Sequence, residues 1–149
     1  MRKWYWSCLL LLTGLLLAAQ APAQNAAPET TVSREESAAI QLVIRAQLDA
    51  FAADDAAKAY SLASPGIRGM FRTPEIFIGM VRQGYPVVYR PAGVVFLKPE
   101  KDGEEILQPV QMTDADGQLW IALYTMQRQS GGNWLTNGCR LARSQGRVT

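Results

Sequence analysis

The sequence predicts an α+β domain, with three N-terminal helices packed on a four-stranded antiparallel sheet that carries an additional short edge strand. Three observations carry this reading. Apolar residues recur at helical spacing from Ser33 to Gly84. From Val87 onward the period falls to two, as in strands. Three dipeptides that favour tight hairpins, Asp102-Gly103, Asp116-Gly117 and Gly131-Gly132, then separate the apolar runs. A chain of 149 residues suits one such domain.

Met1–Ala23 reads as a secretory signal peptide. Arg2 and Lys3 supply the positive start, and Cys8–Ala19 an apolar run shorter than the ~20 residues a spanning helix needs. Small residues follow, and cleavage is expected after Ala23, because cleavage after Ala21 would leave Pro22 at the new terminus. The alternative is an uncleaved anchor. Cys8 begins the apolar run rather than following it, so it does not match a lipid-attachment cysteine. The expected product is exported, periplasmic or secreted, with no stable membrane anchor. Residues 24–32 are polar and aperiodic, a flexible leader before a domain at 33–143 and a tail at 144–149.

The first helix spans Ser33–Asp54. Ser33 and Glu36 form a capping box, and Glu35 and Glu36 suit the positive helix end. Ile40, Val43, Ile44, Leu48 and Phe51 make one stripe, with Gln47 in its middle and Asp54 near its edge. Arg45 and Asp49 lie opposite, spaced for a solvated pair. Gln47 is the polar residue expected to point inward, bonded to backbone or to a ligand. Asp54-Asp55 is a weak metal signal; Asp54 ends one helix and Asp55 caps the next, Ala56–Leu62.

Ser64-Pro65-Gly66 is read as a break, and Ile67–Arg72 as an irregular or one-turn link. Thr73 caps the third helix, with Pro74 at its first position. Ile76, Phe77, Met80 and Val81 form its apolar face, Arg82 stands in its last turn, and Gly84 is expected as a left-handed stop. Val87–Tyr89 is read as the short edge strand, closed by Pro91. Gly93–Lys98, Glu105–Thr113, Gln118–Gln129 and Asn133–Ala142 make the meander. Within it, Leu119, Ile121 and Leu123 alternate with Trp120, Ala122, Tyr124 and Met126. A strand apolar on both faces is covered on both, so a homodimer through the sheet is expected; the alternative cover is the long helix and the C-terminal tail.

Composition narrows function. There is no histidine in the sequence, which removes Ser-His-Asp and Cys-His catalysis and His-ligated zinc. Without Arg2 and Lys3, 13 basic residues balance 13 acidic ones, so no nucleic-acid partner is expected. Cleavage would leave Cys139 alone, excluding an internal disulfide and favouring a buried thiol. No cofactor and no metal site is expected.

The segments Gln47-Leu48-x-Ala50-Phe51-x-x-Asp54-Asp55, Tyr60-Ser61-x-Ala63-Ser64-Pro65-x-Ile67 and Met80-Val81-Arg82-x-Gly84-Tyr85-Pro86-x-Val88-Tyr89 resemble a bacterial family, domain of unknown function 4864. So do Asp114-x-x-Gly117-x-x-Trp120 and Trp134-x-x-x-Gly138-Cys139-x-Leu141. One departure is Trp134-Leu135-Thr136-Asn137, where the pattern has a basic and then an aliphatic residue after Trp; it bears on the register of the last strand. The resemblance covers about Ile40–Leu141 and implies the cone-shaped, curved-sheet fold of the nuclear-transport-factor-two-like (SnoaL-like, cystatin-like) superfamily. It carries no activity with it, since members include isomerases, dehydratases and non-catalytic binding domains.

Three functions are therefore weighed. The first is a non-catalytic exported domain binding a small apolar ligand or an envelope protein. The second is an isomerase, dehydratase or hydrolase with Asp54 as the acid or base and Tyr124 or Tyr85 as hydrogen-bond donor. The third is a structural dimer. Candidate ligand-binding residues are Gln47, Asp54, Arg82, Tyr85, Tyr89, Arg90 and Tyr124, the two arginines being placed to meet an anion at the mouth of the cone. The enzyme reading requires a carboxylate and a tyrosine in one pocket; the binding reading requires an open pocket of a few hundred Å³.

Overall fold

The structure, a computed structural model, describes residues 31–144. The expected signal segment, nearly all of the expected leader and the tail from residue 145 lie outside the described residues. Five helices precede five strands: α1 Arg34–Ala52, α2 Ala56–Ser61, α3 Pro65–Phe71, α4 Pro74–Gly84, α5 Pro86–Tyr89, β1 Gly93–Phe96, β2 Glu100–Asp102, β3 Glu105–Thr113, β4 Leu119–Arg128 and β5 Trp134–Arg143. None of the helices among the described residues is long and apolar enough to cross a membrane.

The capping box forms as expected. The Ser33 hydroxyl accepts from the Glu36 N–H at 3.1 Å, and Glu36 accepts from the Ser33 N–H at 3.0 Å. The helix stops at Ala52, two residues early, because Asp54 turns left-handed at φ 57°. Aspartate tolerates that region better than most non-glycine residues. Asp55 then caps α2 by accepting from the Lys58 N–H at 2.9 Å. The expected Arg45–Asp49 pair is not among the ion pairs of the described residues; the Arg45 guanidinium lies over the Phe96 ring at 4.7 Å.

Four expectations are corrected in the helical half. Ser64-Pro65 starts a helix: Ser64 accepts from the Ile67 N–H at 3.2 Å and Pro65 occupies the first turn of α3. Gly84 is not a left-handed stop. It is the last residue of α4, and Tyr85 caps the helix by donating its N–H to the Val81 carbonyl at 2.9 Å. Val87–Tyr89 is a helical turn, not an edge strand. Pro86 presets a helical φ, and adjacent Val87 and Val88 are both buried, which strand alternation does not allow on a half-covered sheet. In α4, Ile76 is 55% exposed and Ile78 takes its place in the core.

The sheet is antiparallel in the order β1-β3-β4-β5, with β2 pairing the start of β3. Gly103, Gly117 and Gly132 hold positive φ at the three expected turns. Asp114 organises the second turn by accepting from the Asp116 and Gln118 N–H groups and from the Trp120 indole at 2.8 Å. The β4–β5 register shifts once, between Thr125 and Met126, where Asn137 is the extra residue of β5. That bulge falls in the tetrapeptide that departs from the family pattern. The inner sheet face (Ile106, Val110, Met112, Ala122, Tyr124 and Met126) packs on Ile40, Ile44, Leu48 and Phe51 of α1 and on Phe77 and Val81 of α4. Each Val, Leu, Ile, Phe or Met side chain of this set stabilises the fold by roughly 1.5–3 kcal/mol on burial. The outer face keeps Leu119, Ile121 and Leu123 of β4 beside Val95, which is 53% exposed.

Candidate functional site

The core is not filled. A cavity of about 430 Å³ lies between the helices and the strands β4 and β5. Phe51, Phe77, Met80, Val81 and Val88 line it from α1, α4 and α5. Ile67, Phe71 and Met70 line it from α3, and Met70, 67% exposed, marks an open side. The Phe77 ring sits 6.0, 5.8 and 5.7 Å from Phe51, Tyr60 and Phe71, a tilted and edge-on cluster that stiffens this wall.

Few polar groups reach the cavity. Gln47 is 2% exposed and donates Nε2 to the Ala59 carbonyl at 3.0 Å, the inward, backbone-bonded placement expected of it. Tyr124 is 1% exposed, and its hydroxyl has no hydrogen-bond partner among the described residues. The Thr136 hydroxyl, also buried, has none there either. The two are diagonal neighbours across β4 and β5, since Tyr124 pairs with Cys139 and Met126 with Thr136. Desolvation pushes the Tyr124 phenol well above its ordinary pKa and the Cys139 thiol up to about 12, so both keep their protons at neutral pH. At the bulge, Asn137 accepts from the Ser64 hydroxyl at 2.6 Å and donates to Glu105 at 2.7 Å, which pins β5 to the start of α3 and to β3.

The sequence-predicted residues divide into two groups. Gln47, Tyr85 and Tyr124 line the cavity. Asp54, Arg82, Tyr89 and Arg90 do not; they meet on the surface. Asp54 accepts from Arg82 Nη2 at 3.1 Å, from Arg90 Nη2 at 3.0 Å and from the Tyr89 hydroxyl. Both guanidinium groups flank the Tyr89 ring, at 5.2 and 5.0 Å. The Tyr89 hydrogen bond, seconded by the arginines, holds the Asp54 carboxyl below its usual range. Arg90 therefore has a partner that local sequence did not reveal, and Asp54 is not a cone carboxylate. No Asp or Glu among the described residues lines the cavity. Among the same residues no group of three or more His, Cys, Asp or Glu could hold a metal ion.

The sequence matches the family described as domain of unknown function (DUF4864) over residues 33–149. The chain belongs to that family. The DUF4864 domain is also similar to a solved structure, Aln2 from a Streptomyces species, at 17% identity and a TM-score of 0.49, covering 76% of this chain and 94% of that one. Comparison with curated proteins gives no match.

Thr136, Met70 and Asn137 are the DUF4864 residues that sequence reasoning passed over. The only signal for Thr136 and Asn137 was their departure from the family pattern. Met70 read only as an apolar residue of the Ile67–Arg72 link to be buried; it is instead 67% exposed at the open side of the cavity.

Proposed function

We propose that this protein is an exported, non-catalytic domain that binds a small, largely apolar molecule in the cavity between its helices and β4–β5. The observation that carries the reading is a cavity of about 430 Å³ with mainly apolar walls and no lining carboxylate among the described residues. Ligand sites are typically this size and carry few polar groups. A filled cone would have left only an interaction role, and an acid beside Tyr124 would have favoured proton-transfer chemistry. Gln47, Tyr85 and Tyr124 are proposed as ligand contacts, whereas Asp54, Arg82, Tyr89 and Arg90 hold together the ends of the helices that form the wall. Export rests on the Arg2-Lys3 start and the apolar run Cys8–Ala19.

The test is a thermal-shift series on residues 24–149 with uncharged probes, N-phenyl-1-naphthylamine and medium-chain ketones. A bound probe at ~100 times its dissociation constant adds ~2.7 kcal/mol. Val88→Phe, which pushes a larger side chain into the cavity, should reduce that shift. Probes that raise Tm equally in wild type and Val88→Phe would sink the reading.

A second reading concerns the outer sheet face, where Leu119, Ile121, Leu123 and Val95 remain partly exposed. We propose that a second copy covers it. Sedimentation equilibrium should give a dimer, and Leu123→Glu a monomer with unchanged secondary structure.

A further inference from the structure

We infer that the cavity ligand is an uncharged molecule whose carbonyl-type oxygen is received by the hydroxyls of Tyr124 and Thr136. The inference rests on the cavity-binding reading and adds the chemistry of the ligand to it.

The starting point is the pair of hydroxyls. Each is buried, each belongs to a residue that lines the cavity, and each lacks a hydrogen-bond partner among the described residues. A buried polar group left unpaired is costly, and native proteins leave few of them. Gln108 also has an unpaired buried oxygen, but it does not border the cavity, and its amide nitrogen is spent on the Leu97 and Pro109 carbonyls at 2.7 and 2.8 Å. Among the described residues, Tyr124 and Thr136 are therefore the two lining residues whose buried hydroxyls have no hydrogen-bond partner. They stand diagonal to each other across β4 and β5, on one wall of a mainly apolar chamber.

Charge decides what can sit against them. An amine would need a carboxylate, and no described Asp or Glu lines the cavity. A carboxylate ligand would need a cation, because ionised groups are expensive to desolvate unpaired. Arg82 and Arg90 are committed to Asp54 outside the chamber. Arg140 borders the cavity, but it pairs with Leu123 on the strand, so alternation directs its side chain to the outer sheet face. The neutral phenol is a better donor than acceptor. A carbonyl oxygen has two lone pairs and can accept from both hydroxyls at once.

The experiment uses residues 24–149 and displacement of N-phenyl-1-naphthylamine by three molecules of equal chain length: 2-nonanone, nonanoate and nonylamine. The ketone should displace the dye at concentrations at least tenfold lower than either charged molecule. Tyr124→Phe and Thr136→Val keep shape and should each weaken the ketone about tenfold, the worth of one hydrogen bond, a larger change than either makes in dye affinity. Their Tm values, equal to or above wild type, show that the variants fold. Dye binding without a ketone preference, or ketone affinity unmoved by both substitutions, overturns the inference and leaves the cavity reading standing. A wild-type protein that takes up neither dye nor ketone overturns both.

Discussion

Tyr124 sets the terms at the scale of single residues. Its ring packs in the core while its hydroxyl gains nothing from the described residues. Tyr124→Phe should therefore not destabilise the free protein; a gain of up to about 1 kcal/mol is expected by chemical denaturation, because an unsatisfied donor is removed. Asp54 behaves in the opposite way. Its pKa is lowered in the fold, first by Tyr89 and then by the arginines, so its contribution is present above the unfolded pKa and lost as pH falls through the folded one. Asp54→Asn should be less stable than wild type at pH 7, and the two should converge below the usual carboxylate range. Asparagine tolerates the left-handed backbone at this position, so the comparison isolates the charge. A stability gap that persists in acid would assign the effect to backbone instead.

At the scale of elements, Gly84 of α4 and Gly132 of the β4–β5 turn should respond oppositely to substitution by alanine. Sequence alone places a left-handed stop at Gly84, since Arg82, Gly84 and Pro86 have the usual order of a helix terminus. The structure keeps Gly84 helical, with open space where a Cβ would be. Gly84→Ala should then stabilise by roughly 0.5–1 kcal/mol. Gly132, at φ 87°, should respond with a loss of about 1 kcal/mol or more. The caps at Ser33, Asp55 and Thr73 were legible because capping is a contact between residues three apart. The hairpins were legible because glycine supplies positive φ locally. Val87–Tyr89 was not, since β-branched preference is weak and the burial of both valines comes from the tertiary fold. The Asp54–Arg82–Arg90 contacts span 28 and 36 residues, a separation at which no local pattern operates.

For the molecule as a whole, the alternation of Trp120, Ala122, Tyr124 and Met126 against Leu119, Ile121 and Leu123 separated the two sheet faces without saying which one the helices cover. That the inner face is only partly filled could not be read from periodicity, because volume depends on how five helices settle together. The cavity residues come from α1, α3, α4, α5, β4 and β5, so the chamber is a property of the assembled fold. Chemical-shift mapping with 2-nonanone on uniformly 15N-labelled residues 24–149 tests the central claim most directly. Perturbations should concentrate at the amides of Phe77, Val81, Tyr124 and Thr136. Perturbations confined to Leu119, Ile121 and Leu123 on the outer sheet face, or absent at saturating ketone, would contradict it.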